Sequence, residues 1–212
     1  MTADTAIRRI AKPAVFALSL GPLAWLAWRA SSHGLGFNPQ EYLNRYLGDW
    51  ALRFILIALA VTPLRGITGW APLVRFRRLL GLFAFFYASL HLTSYVVLDQ
   101  VFDWADIWAD IVKRKFITVG MLTFLLLVPL ALTSTAGMVK RLGAARWRRL
   151  HRIVYAAGAL ACLHYYMMVK GNQPEPLYHA AVLALLLGWR AAAAAKERLA
   201  RRRRRLARAQ AA

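Results

Sequence analysis

Cysteine and acidic residues are what this chain has least of. Its single cysteine, Cys162, lies inside an apolar run, which excludes a disulfide framework and a thiolate metal cluster. Nine Asp and Glu stand against 29 Lys and Arg, and all charged residues together make up 18% of the 212 residues. So little polar material cannot cover a soluble globule of this length. With 59% hydrophobic residues, eight tryptophans and a mean hydropathy of +0.42, the composition is that of an integral membrane protein. The net charge of +20 does not point to nucleic acid, because the basic residues fall between apolar segments and at the tail rather than on one domain face. They read as topology signals.

The pattern predicts an all-α, six-transmembrane-helix bundle spanning 13–195, between a basic leader at 1–12 and a basic tail at 196–212. Helix one covers 13–28. Its two tryptophans and the lack of an A-x-A site argue against a cleaved signal peptide. A polar connection at 31–49 leads to helix two at 50–62, which Pro63, Gly66 and Gly69 are expected to break. Helix three covers 79–98, an acidic, tryptophan-bearing interfacial loop follows at 99–110, and helix four covers 116–132. A basic loop at 133–149 precedes helix five, which carries His151 near one end and His164 near the other. A turn at 171–176 then leads to helix six at 177–195. The positive-inside rule places the leader, the arginines at 65–78, the loop at 140–149 and the tail on one side, so both termini are expected in the cytoplasm.

Histidine inside a membrane helix marks a functional site by default, since hydrocarbon leaves imidazole nitrogens unpaired unless something binds them. Heme iron is the candidate. His91 lies 13 residues above Arg78, and His164 lies 13 above His151, on two helices rising from the same basic side. Each interval spans roughly 20 Å, so His91 and His164 share one depth, where two parallel helices packed together would grip one heme. His151 is left near the cytoplasmic face. Opposite it, about one comparable stack below His91, stands Arg77, suited to heme propionates or the iron face. Thirteen residues turn a straight helix about 140°, so aiming both His151 and His164 calls for tilt, or irregularity near Gly158. His33 and His179 read as interfacial. Tyr87, Tyr95, Tyr155, Tyr165 and Tyr166 read as packing or belt residues, and the arginine tail as topology and lipid contact.

Three stretches, RRLLGLFAFFYASLHLTSY at 77–95, TSTAGMVKRLGAARWRRLHRIVY at 133–155 and LHYYM at 163–167, together resemble the MsrQ (YedZ) family of the ferric-reductase-like transmembrane superfamily. The resemblance covers the six-helix chain. It implies a b-type heme protein of the bacterial inner membrane, with one or two hemes per chain held by His91, His151 and His164. By that resemblance it passes electrons to a periplasmic molybdopterin methionine sulfoxide reductase that repairs oxidised proteins. It also implies FMN, and electrons from the quinone pool or a cytosolic flavin reductase. Superfamily oxidases use four histidines and an appended flavin domain. Here the fourth histidine and any GxGxxG loop are missing, so the reductant is expected from elsewhere. A stand-alone ferric or quinone reductase, and a heme-free scaffold or transporter, remain the alternatives.

Overall fold

In lipid a backbone must satisfy its own hydrogen bonds, so apolar runs flanked by arginine fold as helices. The computed structural model describes residues 3–32, 34–169 and 173–210. The expectation for His33 and part of that for the turn at 171–176 lie outside the described residues. The helices are α1 Lys12–Ser32, α2 Pro39–Thr68, α3 Arg77–Ser94, α4 Trp104–Lys113, α5 Lys115–Leu132, α6 Ala136–Leu142, α7 Ala144–Leu150, α8 Ile153–Met168 and α9 Glu175–Gln210. Irregular helical turns lead into α1 and α3, and a π-helical turn, Tyr95–Asp99, extends α3. Among the described residues there is no strand.

Five of these helices, with their adjoining turns, are long and apolar enough to cross a membrane. The sixth span is α8, whose 16 residues reach about 24 Å. The bundle therefore keeps its six apolar helices, with α4, α6 and α7 as short connectors.

Helix two is the largest departure from expectation. It begins at Pro39, eleven residues before the expected start, because Asn38 caps it: the Asn38 side chain accepts from the Glu41 amide at 3.2 Å, and proline occupies the first turn. It also runs through Pro63 and Gly66 and stops only at Gly69, whose φ of +68° suits a glycine cap. Pro63 has no N–H to offer the Leu59 carbonyl one turn earlier. Arg190 of α9 donates to that carbonyl instead, Nη2 to O at 2.7 Å. A side chain 131 residues away thus closes the gap that the proline opens.

Replacing Arg190 with leucine should lower stability in detergent by about 2 kcal/mol, the cost of an unsatisfied buried carbonyl. Adding Pro63→Ala, which restores an amide donor, should recover most of the loss. Thermal unfolding of the four proteins of this cycle measures the coupling, and simple additivity would remove the assignment.

Four helices form the inner ring. α2 packs most closely on α3, and α5 on α8; contacts of α3 with α5 and of α2 with α8 close the ring, while α1 lies against α3 and α9 against α8 and α2. α3 and α8 are therefore diagonal partners. The α2–α3 seam is aromatic, with Phe54 stacked on Tyr87 at 5.2 Å and on Phe83 at 5.6 Å. Tyr87 is fully buried, and its hydroxyl donates to the Ser19 carbonyl of α1 at 2.9 Å.

The basic segment at 133–149 is not an open loop. It folds into α6 and α7, split at Gly143, where φ is +75°. Nor is helix five continuous from His151. His151 ends α7, and α8 begins at Ile153, so the irregularity that separates the two histidines lies there and not at Gly158. Gly158 is instead a close-packing point, where an added Cβ would meet Leu183 of α9 at 3.3 Å and Ile55 of α2 at 3.5 Å.

Candidate functional site

The diagonal arrangement of α3 and α8 leaves their facing sides free to meet across the bundle interior. His91 and His164 do so, with ring centres 6.1 Å apart and planes inclined at 70°. The expectation of equal depth thus matches the geometry, but the two helices are not packed directly together. α2 and α5 stand between them, and the space left holds a cavity of about 480 Å3.

Each imidazole is seated in the same way. His91 Nδ1 lies 2.9 Å from the Asn44 carbonyl of α2, and His164 Nδ1 lies 2.7 Å from the Phe116 carbonyl of α5. A carbonyl only accepts, so Nδ1 carries the hydrogen in both rings, and in the neutral ring Nε2 is then the nitrogen with the lone pair. Four residues beyond each carbonyl stands a glycine. A Cβ on Gly48 would come within 3.1 Å of His91 Cε1, and one on Gly120 within 2.8 Å of His164 Cε1. Two helices supply the same seat, an accepting carbonyl and one turn later a missing side chain. Asn44 braces the first seat further, its Nδ2 donating to Ser94 Oγ at 3.0 Å, while Ser94 Oγ donates to the His91 carbonyl at 2.8 Å.

Two neutral imidazoles fixed through Nδ1 are prepared as metal ligands, with the tautomer set by the second bond. Imidazoles sharing one metal at about 2 Å per bond place their ring centres roughly 6 Å apart, the spacing found here. Among the described residues, no third His, Cys, Asp or Glu joins them in a metal-holding group. A bare ion such as zinc takes three or four protein ligands. Two axial imidazoles in a cavity instead fit a metal that brings its own equatorial ligands, as porphyrin iron does. The cavity suits such a group: Ile55, Ala88, Phe124, Leu127 and Ala161 line one end.

His151 and Arg77 sit elsewhere, at the basic end. His151 Nε2 donates to Thr133 Oγ1 at 3.1 Å, since the threonine hydrogen is used on the Pro129 carbonyl at 2.6 Å. The ring stacks on Trp147 at 3.9 Å, and the indole N–H holds the Thr133 carbonyl at 2.9 Å. Burial, and secondly the charge of Arg77, hold the His151 pKa below its usual value, which favours the neutral imidazole. Arg77 is exposed at the start of α3. His179 bonds the Glu175 carbonyl of its own helix and meets the edge of Tyr165 at 5.5 Å.

The tyrosines divide in the same manner. Tyr87 is core, Tyr166 is exposed, Tyr155 lies under the Arg190 guanidinium, and Tyr95 and Tyr165 line the cavity. Sequence reasoning missed Gly48, Gly120 and Asn44. For Gly120 the signal is a glycine within an apolar helix with no turn around it, a mark of close approach by another group, whereas Asn44 and Gly48 fall in the stretch at 31–49 that reads as a polar connection.

Comparison with known proteins agrees with this architecture. The profile of the ferric reductase like transmembrane component matches residues 47–162, which include His91 and His151 and end two residues before His164. The chain is 56% identical over 182 residues to the protein-methionine-sulfoxide reductase heme-binding subunit MsrQ of Rhodospirillum rubrum, covering 86% of this chain and 88% of that protein. The subunit of the same name from Caulobacter vibrioides is 52% identical over 176 residues, 83% of this chain and 84% of its own. That from Polaromonas naphthalenivorans is 54% identical over 182 residues, 85% of this chain and 83% of its own. No solved structure matches. At this identity over most of both lengths, the chain belongs to the MsrQ family, within the ferric reductase like transmembrane components.

Proposed function

We propose that this protein is a b-type heme electron-transfer subunit that carries electrons across the bacterial inner membrane to a periplasmic molybdopterin methionine sulfoxide reductase. The observation that carries the reading is the matched seating of His91 and His164 on two carbonyls and two glycines. The relatives, heme-binding subunits of a protein-methionine-sulfoxide reductase, support a partner from such a system. Both termini lie in the cytoplasm by the distribution of arginine, which puts the imidazole pair toward the periplasm. Donors in this reading are the quinone pool or a cytosolic flavin reductase, with FMN as a second cofactor.

Bound heme supplies one-electron chemistry at its iron. The chain would do the rest: His91 and His164 would hold the iron, their Nδ1 bonds orient both rings, and the apolar part of the cavity wall would exclude water. At the basic end His151, with Arg77 nearby, is the place for a second heme. To ligate through Nε2 its ring must leave Thr133, since that nitrogen is the donor in the present bond.

A reduced-minus-oxidised spectrum of the purified protein, with pyridine-hemochrome quantitation, tests the reading. A heme b signal is expected. One heme per chain assigns the His91 and His164 pair alone, in which case Arg77→Ala leaves the redox titration unchanged. Two per chain bring in His151, and Arg77→Ala then alters one of two waves. A colourless protein from heme-replete cells overturns the proposal in favour of a scaffold or transporter. Reduction of small acceptors, with no electron delivery to the sulfoxide reductase, supports the stand-alone reductase instead.

A further inference from the structure

The cavity between the histidines is not uniform along its length. Beyond the imidazoles toward α4, its lining changes from Leu127 and Ala161 to Arg45, Asp99, Gln100 and Arg114. Among the described residues, the cations in that lining are Arg45 of α2 and Arg114, which joins α4 to α5. They are 40% and 58% exposed, so they mark the mouth. Asp49 and Asp99 line the same cavity, so its open end is polar and mixed in charge; an apolar floor, a metal-ligand waist and two guanidiniums at the rim match an amphipathic porphyrin with two carboxylates on one edge.

Both guanidiniums have donors to spare. Arg45 uses Nη2 on Glu41, 2.6 Å away and one turn earlier, and such exposed pairs within one helix hold weakly. Arg114 uses Nε on Asp110 Oδ1 at 3.0 Å. The other oxygen of Asp110 takes the Tyr95 hydroxyl at 3.2 Å and Gln100 Nε2 at 2.9 Å. Asp110 thus anchors the stem of Arg114 and is itself satisfied by neutral donors. The terminal amino groups of Arg114 remain for a carboxylate, the partner that a guanidinium fork fits best.

We propose that Arg45 and Arg114 bind the two propionates of the heme held by His91 and His164, fixing its edge at the cavity mouth and its apolar rim on the floor. This rests on the heme reading above. Arg77, at the far end beside His151, has no part in this contact.

The test is uptake, by the protein from heme-depleted cells, of heme b and of heme b dimethyl ester, which lacks the carboxylate charge. The wild type should bind the free acid roughly tenfold more tightly than the ester, and Arg45→Gln with Arg114→Gln should erase the preference while leaving ester affinity unchanged. Unchanged ester binding also shows that the double variant is folded. Arg45→Lys with Arg114→Lys should recover part of the preference. In the glutamine variant, loss of nearby positive charge should favour oxidised iron and lower the midpoint potential. Equal binding of both porphyrins by the wild type, or an undiminished preference in the double variant, overturns the assignment while the heme reading stands. Uptake of neither porphyrin overturns both.

Discussion

Alanine at His91 or at His164 should reduce heme affinity at this site by at least about 100-fold, since changes even to groups behind a metal ligand cost 10- to 100-fold. Pyridine-hemochrome quantitation on each purified variant measures the loss. The remaining imidazole keeps its own carbonyl and glycine, so any residual heme should be five-coordinate and high-spin in its visible and EPR spectra. Low-spin heme at normal content in both variants would remove the pair from the site. Alanine at His179 is the matched control: that ring bonds the Glu175 carbonyl of its own helix and meets the edge of Tyr165, outside the facing pair, and heme content should not change.

Alanine at Gly120 is the second large effect, and it separates seating from ligation. The carbonyl that orients His164 belongs to the backbone and cannot be removed by substitution, whereas the glycine one turn later can be filled. An added Cβ at 2.8 Å from Cε1 and 2.9 Å from Nδ1 cannot coexist with the present ring position, so the imidazole must turn away from Phe116. Heme affinity should fall by about tenfold, the lower range for loss of a bond behind a metal ligand. The corresponding contact at Gly48 is 3.1 Å, a distance that small shifts relieve, so Gly48→Ala should cost only a few-fold. Gly81→Ala, where nothing lies within 4 Å, should leave heme unchanged and gain up to about 1 kcal/mol of helix stability. Equal heme content in the Gly120 and Gly81 variants would show that the seat has no role.

The contrast between these glycines also explains what sequence could and could not reveal. Span number, the basic flanks and the shared depth of His91 and His164 follow from hydropathy and from a rise of about 1.5 Å per residue, and all are local or additive along the chain. The continuation of α2 through Pro63 was not legible, because proline is a stop signal unless a distant donor answers it, and Arg190 gives no local sign that it does. The break at His151 was hidden similarly. An unbroken helical pattern runs across it, and only the Thr133 and Trp147 contacts hold that ring in the turn. Gly48 and Gly120 were visible as residues, but their use depends on which helix faces which. Diagonal placement of α3 and α8 is a property of the whole ring of four.

The bond between Arg190 and the Leu59 carbonyl also bears on the order in which the protein is made. Synthesis runs from the N-terminus, so α2 enters the membrane long before α9 leaves the ribosome. Throughout that interval the gap above Pro63 stays open to lipid, where an unmatched carbonyl costs several kcal/mol. The last span closes a defect left by the second, and a chain that stops short of residue 190 never repairs it. Such a truncated product should present quality-control proteases with a loosened helix beside the cavity that His91 and His164 line. Arrival of α9 thereby ends the exposure of the Leu59 carbonyl.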